Sequence, residues 1–570
     1  MTYHQYQEST ISSCISCLLQ KSDYNEYVID LLKYFPEGYT PSSHQVEILR
    51  KIDKAFFDDD HKFVVCNAPT GSGKSFIAKT IGNASTSAPD KYKKIIDNYD
   101  AYAFMEGAYV NAAECVSHQP FGSFVMTTTK SLQDQYQKQF DELEVIKGKS
   151  NYQCAVDDQY SVDVAPCIHM ASIKRKCWAD CVCPYYEQRN RALTSDLTAL
   201  NYDMFFALPE HVKHRDYIIC DEASELEEQL VKYFSCTFNV KVLKACGITV
   251  APLEKANYAK LGRWVSSIYL QLRDGAADIK EAMNDYKKRD AKYANMQKKF
   301  LFLNRLAMNS ATIVDTWTDS EYLVEVDKEL ITFKPLKVNK LSKYIFDYGT
   351  KIILMSATII DHKNFCKTLG IDDYEYIEID SPFDPKNAPI YVSNKYKLNY
   401  KNLQANLPKV AEMIQQICDN HEGEKGIIHT HTSYITRFLQ NELVGDRFLF
   451  RELGVNNESI LEDHTVSTDP TVLVSPSLTF GVDLKDDLAR FQIIVKAPFL
   501  PIGEERIKRL MKDDPEWYLN KMLVSLIQSC GRGIRSKTDH CDTYILDGTI
   551  GASILRNKSN LPKYFIDRFA

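Results

Sequence analysis

Short apolar runs bounded by turn residues recur along the chain: Phe63 to Cys66, Gly122 to Met126, Tyr217 to Cys220, Lys351 to Met355, Gly426 to His429, Thr471 to Val474, Gln492 to Val495 and Thr543 to Leu546. Brief Val/Ile-rich runs set between helical segments are what strands buried on both faces of a parallel sheet require. The pattern predicts an α/β protein with two parallel sheets, one before and one after about residue 380. Between about 225 and 345 the chain changes character, with long lysine-rich segments containing Ala, Tyr and Leu, such as Asp278 to Asn304, which predict a helical insertion. The lysines of that stretch read as a solvated helix face. Residues 150 to 190 have poor periodicity and hold five cysteines, which suits a small metal-stabilised insert better than a strand–helix unit. The stretch Asn83 to Pro120 is long for a connection between neighbouring strands, so part of it is expected to be a surface insertion. No internal repeat or low-complexity tract interrupts this order.

Composition adds limits rather than chemistry. A chain of 570 residues is too long for one core and fits three or four domains. Its 44% hydrophobic and 25% charged residues are ordinary for a soluble protein, and no apolar stretch approaches the roughly 20 residues of a membrane span. Met1 to Gln20 lacks a basic segment followed by a long apolar core, so no membrane association and a cytoplasmic or otherwise intracellular location are expected. In that setting the sixteen cysteines are expected to be reduced thiols, some of them metal ligands. A net charge of −7 means that nucleic-acid contact would need a local basic groove.

Three sites carry chemistry. After the first apolar run the chain reads Ala68-Pro69-Thr70-Gly71-Ser72-Gly73-Lys74-Ser75, a strand feeding a glycine loop and then a helix. Gly71 and Gly73 let backbone N–H groups close on an anion, Lys74 reaches the β- and γ-phosphates of a nucleoside triphosphate, and the Ser75 hydroxyl is placed to ligate Mg²⁺. The usual pattern has Gly at the position of Ala68. After the run Tyr217 to Cys220 come Asp221 and Glu222, suited to magnesium ligation and to orienting the attacking water. Farther on, Gln528 stands near Arg532 and Arg535, two guanidinium groups three residues apart on one helix face that can neutralise charge on a transferring phosphoryl group. Because they lie in the second α/β half, the site is expected to be completed when the two halves close.

Together with Met355-Ser356-Ala357-Thr358 after a strand, these elements resemble the helicase motifs of superfamily 2. Lys147-Gly148-Lys149-Ser150-Asn151-Tyr152-Gln153-Cys154, Cys183-Pro184-Tyr185-Tyr186, Asn201-Tyr202 and Ser381-Pro382-Phe383 sharpen the resemblance to the XPD/DinG family of iron–sulfur DNA helicases, in order from about Gln45 to Asp547. The resemblance implies two RecA-like motor domains with parallel sheets, an iron–sulfur insert and a helical arch. The first motor domain would take residues 1–150, 191–225 and 341–380, the insert 151–190, the arch 226–340 and the second motor domain 381–570. It further implies Gln45 near the adenine, Lys74 and Ser75 at the phosphates, Asp221 and Glu222 at Mg²⁺ and water, and Gln528, Arg532 and Arg535 closing the site. Thr127 to Gln135 resembles the strand-contacting motif Ia, and Gly481-Val482-Asp483 resembles motif V. Two positions depart: Ser224 stands where the family usually has His, which puts the link between the ATP site and motif III in question. Phe480 stands where Glu commonly precedes motif V, which puts part of the coupling to DNA in question.

Cys154, Cys167, Cys177, Cys181 and Cys183 are separated by 12, 9, 3 and 1 residues. Four thiolates suit a [4Fe–4S] cluster or a Cys₄ zinc site equally on spacing alone; the resemblance favours iron–sulfur. It picks out Cys154, beside the Asn-Tyr signature, and Cys183, before Pro-Tyr, with Cys177 next. Cys167 is preferred as the fourth because Cys181 and Cys183 are too close to make separate corners of one cubane, which leaves Cys181 the alternative. The remaining eleven cysteines, including Cys14 and Cys17, read as core or surface residues. Tyr185, Tyr186, Arg189 and Arg191 offer stacking faces and phosphate partners for a single strand, or else simply pack the insert. The expected activity is ATP-dependent 5′ to 3′ movement on single-stranded DNA with unwinding of forked duplex DNA, by a monomer. The other expectation is a DNA-stimulated ATPase that remodels nucleoprotein without productive unwinding.

Overall fold

The computed structural model describes residues 30–88, 120–165, 167, 177, 183–251, 257–283, 291–451, 458–476, 486–531 and 539–570. Along the first half the strands are β1 (Phe63–Asn67), β2 (Ser123–Thr127), β3 (Glu144–Val145), β4 (Leu197–Asn201), β5 (Arg215–Asp221), β6 (Cys236–Asn239), β7 (Tyr322–Asp327), β8 (Leu330–Pro335), β9 (Gly349–Ser356) and β10 (Glu375–Glu378). Seven of them form one sheet in the order β10-β1-β9-β5-β2-β4-β3, with every neighbouring pair parallel. Consecutive strand residues feed two different cores: Ile218 and Cys220 of β5 pack on one face, Tyr217 and Ile219 on the other. Val65 and Val64 of β1 divide in the same way. A sheet covered on both faces has no solvated side, which is why its strands read as unbroken apolar runs.

The second sheet contains β11 (Ile390–Tyr396), β12 (Gly426–His429), β13 (Phe448–Phe450), β14 (Val472–Ser475), β15 (Phe491–Ile494) and β16 (Asp542–Asp547). Its order is β11-β16-β15-β12-β14-β13, again parallel throughout. Ile428, Val474 and Ile493 fill a core on one face, while Ile427 and Leu473 point to the other.

Between β5 and β9 the chain leaves the first sheet. Two 25-residue helices, Tyr258–Ala282 and Ala291–Asp315, form this region together with β6, β7 and β8. Leu261, Trp264, Val265, Ile268, Leu272 and Ala276, three or four residues apart, give the first helix one buried stripe. The apolar pattern led to helices alone here, but β6-β8-β7 is a three-stranded antiparallel sheet whose Phe238 and Phe333 share a core with Trp264. Most of β7 is only half-buried or exposed, which blurs its alternation.

A buried ionic junction ties the two sheets' halves together. Glu227, 5% exposed on the helix Leu226–Tyr233 that follows β5, accepts from Arg506 Nη2 at 2.5 Å and from Trp517 Nε1 at 2.8 Å. Lys521 Nζ lies 2.8 Å from Glu227 and 2.6 Å from Glu228. These cationic and indole donors hold the Glu227 carboxyl down at about 2 against the cost of burial. Beside them Leu336 packs with Ile507, Leu510 and Trp517.

Candidate nucleotide site

The loop after β1 has the geometry of an anion cradle. Gly71 and Gly73 both sit at φ +82°, and Gly73 is the N-cap of helix Lys74–Asn83. That left-handed backbone favours glycine, and space enforces it as well: a Cβ on Gly73 would collide with the Gln45 amide and one on Gly71 with the Phe383 ring. Lys74 Nζ lies 3.4 Å from the Ala68 carbonyl, back across the loop. Ser72 Oγ is buried without a hydrogen-bond partner among the described residues, as fits a loop shaped for a group that is not protein. Ala68 needs no left-handed backbone; it is fully buried in the core, and its N–H donates to Ser356 O at 2.9 Å.

Gln45 has a second duty that its motif position does not announce. It completes a capping box on helix Ser43–Asp53, its Oε1 accepting from Ser42 N at 2.8 Å while its own N–H donates to Ser42 Oγ. Its amide nitrogen therefore rests against the loop at Gly73 by way of a locked helix start.

Asp221 ends β5, 6% exposed. Its Oδ1 accepts from Glu222 N and its Oδ2 from Tyr136 Oη, each at 3.0 Å. Burial, then the neighbouring Glu222 carboxylate, push the Asp221 carboxyl up to about 6, with Lys74 pulling the other way. A group with this tension gains from a cation. Glu222 itself adopts φ +52°, a left-handed backbone unusual for a residue with a side chain. Ser75 Oγ donates to Gln139 Oε1 at 2.7 Å.

Gln528 approaches from the other half. It lies on helix Pro515–Cys530, and its Nε2 stands 3.2 Å from Thr358 Oγ1 and 3.5 Å from Ser224 Oγ. Ser356 Oγ meets Ser224 Oγ at 3.0 Å, and Tyr564 Oη donates to Ala357 O at 2.6 Å. The departure at Ser224 therefore leaves the acid box hydrogen-bonded to the Met355–Thr358 segment, through a hydroxyl in place of an imidazole. Arg532, Arg535, Phe480 and Gly481-Val482-Asp483 lie outside the described residues.

A family profile described as the helicase C-terminal domain matches residues 415–565. The chain is similar to the ATP-dependent DNA helicase YoaA of Haemophilus influenzae, 22% identical over 457 residues that cover 66% of this chain and 70% of that one. It is similar to the ATP-dependent DNA helicase XPD of Sulfolobus acidocaldarius, 21% identical over 431 residues, covering 68% and 76%. A solved XPD helicase matches with a TM-score of 0.57 at 17% identity, covering 91% of this chain and 98% of that one. The S. tokodaii Xpd4 structure matches with a TM-score of 0.52 at 13% identity, over 90% and 97%. The chain is XPD/DinG-like. At these identities the solved structures establish the shared fold.

In this XPD/DinG-like chain the cysteine segment is described only in part. Cys154, Cys167, Cys177 and Cys183 are placed, while Cys181, Cys14 and Cys17 lie outside the described residues. Burial raises the Cys167 thiol, and Cys177, Cys183 and Cys154 are near enough to raise it further. Four gathered thiols fit the donor chemistry of an S₄ site. They are not drawn into ligand geometry, for among the described residues no group of three or more His, Cys, Asp or Glu side chains is arranged to hold a metal ion.

Tyr185 and Arg189, offered as contacts for a strand, are each 5% exposed. Tyr185 packs edge-on against Tyr152 and Tyr186, with Lys149 over its ring at 5.3 Å. These two side chains serve the packing and are closed to a stacking base. Arg191 is engaged with Glu187 at 3.0 Å. Among the described residues, no helix is long and apolar enough to cross a membrane. The groups that sequence reasoning missed are Tyr136 and Gln139, whose only signal was a three-residue spacing directly after the motif Ia segment.

Proposed function

We propose that this chain is an ATP-dependent DNA helicase that couples ATP hydrolysis to 5′ to 3′ movement on single-stranded DNA and to unwinding of forked duplexes. The observation that carries the reading is Gln528, a residue of one half, reaching 3.2 Å from Thr358 and 3.5 Å from Ser224, three residues past Asp221 in the other half. An ATP site roofed by the second half feels any change in the angle between halves, which is what a motor needs.

In this reading the loop Pro69, Thr70, Gly71, Ser72, Gly73, Lys74 and Ser75 cradles the phosphates, and Gln45 stands near the adenine. Ser75 and Asp221 would hold Mg²⁺, which when bound supplies charge neutralisation at the phosphates. Lys74 binds the γ-phosphate, Glu222 orients the attacking water, and Gln528, Arg532 and Arg535 close the site. Cys154, Cys167, Cys177 and Cys183 would hold a [4Fe–4S] cluster that braces the 151–190 insert, with Cys181 the alternative ligand. Residues 1–150, 191–225 and 341–380 would be one motor domain, 381–570 the second, and 226–340 the arch.

ATP turnover by anaerobically purified protein, with and without single-stranded DNA, tests the motor. Turnover that rises with DNA and vanishes in Lys74→Ala is the expected result, and no stimulation overturns it. Duplexes with 5′ or 3′ tails test polarity. Stimulated turnover without strand separation would replace unwinding by remodelling of nucleoprotein. Iron content with visible absorbance tests the cluster, and zinc in its place would overturn it.

A further inference from the structure

One helix touches both groups that the proposed magnesium site needs. Helix Lys130–Gln139 brings Tyr136 Oη to 3.0 Å from Asp221 Oδ2 and Gln139 Oε1 to 2.7 Å from Ser75 Oγ. Positions 136 and 139 share a helix face, so a single rigid element reaches a strand end and a helix start that are themselves far apart in sequence. Both contacts have the polarity that a metal ligand requires. Tyr136 is 3% exposed, and its hydroxyl faces a carboxylate oxygen, which can only accept, so it donates. A neutral donor orients the Asp221 carboxylate without cancelling its charge, and Glu222 N–H steadies the other oxygen. A serine hydroxyl that gives its proton to Gln139 turns its lone pairs away from that amide, the state in which it can ligate a cation.

We propose that Tyr136 and Gln139 are positioning residues that hold Asp221 and Ser75 in register for magnesium. The proposal rests on the reading of the site as a magnesium–nucleotide site. The same helix is fastened elsewhere to the loop leading into the cysteine segment: Lys130 Nζ lies 2.7 Å from Asn151 Oδ1, Gln133 Nε2 lies 3.2 Å from Ile146 O, and Asp134 pairs with Lys147. The metal ligands and the base of that segment thus share one body.

The test is a magnesium titration of the full chain at a fixed concentration of a fluorescent ADP analogue, for wild type, Tyr136→Phe and Gln139→Ala. Losing a hydrogen bond to a charged group raises the magnesium midpoint about tenfold in Tyr136→Phe, and the neutral pair in Gln139→Ala raises it about threefold. Nucleotide binding in EDTA stays at the wild-type level in both, and kcat falls more than KM rises. A purely structural role would weaken binding with and without metal alike. Unchanged midpoints in both variants, with a normal wild-type titration, overturn the proposal alone. A wild type whose nucleotide binding ignores magnesium overturns the site reading and the proposal together. Should Tyr136→Phe fail to fold, the partly exposed Gln139 decides the matter by itself.

Discussion

Two of the contacts between the halves, among the described residues, are built from opposite chemistry. At one, Glu227 takes Arg506, Trp517 and Lys521 in a buried ionic cluster. At the other, Gln528, Ser224, Ser356 and Thr358 meet through neutral hydroxyls and an amide at 3.0 to 3.5 Å. Breaking a buried charge pair by removing one partner costs about 3–5 kcal/mol because the other charge is stranded. Each neutral hydrogen bond contributes only about 0.5–1.5 kcal/mol, and water or a phosphate can replace it. The ionic junction is thus suited to persist and the neutral one to exchange partners, and the neutral one is the junction that borders Asp221 and Glu222. The difference lies in what is stranded when contact is lost.

The strongest way to break this contrast is Glu227→Ala, which strands Arg506 without its carboxylate while Lys521 keeps Glu228. A loss of about 3–5 kcal/mol in denaturant unfolding at pH 7 is expected. Because the Glu227 carboxyl is held down at about 2, its contribution is complete above the ordinary glutamate range and is lost progressively as pH falls from there through about 2. The wild-type junction should therefore survive titration to pH 4.

Asp221 has the reverse sign. Burial and Glu222 raise its carboxyl to about 6, so the folded protein prefers the protonated form, and stability declines as pH rises from about 4 to about 6. Asp221→Asn is expected to stabilise the nucleotide-free protein by up to about 3 kcal/mol at pH 8, with the gain gone by about pH 4. A melting series across that range checks it; equal gains at both ends would contradict the assignment.

At the neutral junction the thermodynamic effects shrink. Gln528→Ala should cost about 1 kcal/mol or less in unfolding, while DNA-stimulated turnover drops about tenfold or more as one barrier-lowering contact is lost. Parallel stability and turnover assays separate the two. Ser224→Ala, which removes one hydroxyl, should cost about 0.5–1 kcal/mol. A loss on the scale of Glu227→Ala would erase the distinction between the junctions.

Burial made most strands legible in the sequence, although buried β4, Leu197–Asn201, with only one β-branched residue, was not among the runs. All eight apolar runs became strands, because a parallel sheet covered on both faces leaves a signal at every residue. β7, half-exposed, and β3, two residues long, left almost none. The phosphate loop and acid pair were legible because their geometry is made within a few residues of chain. Tyr136 was not, since its partner Asp221 lies 85 residues away, nor was Glu227, whose partners Arg506 and Trp517 are 279 and 290 residues away. Gln45 shows the converse limit: the motif marks the position, but the capping box that locks it is visible only in the folded helix.

Glu222, at φ +52°, has one more consequence. Glycine or asparagine would occupy that backbone more comfortably. A library of variants at position 222 sorted for yield of folded protein should therefore enrich those two residues, whereas one sorted for nucleotide turnover should return glutamate. Wherever two such sorts disagree, the winner in each names what that position is kept for: here the backbone would ask for one residue and the proposed water contact for another.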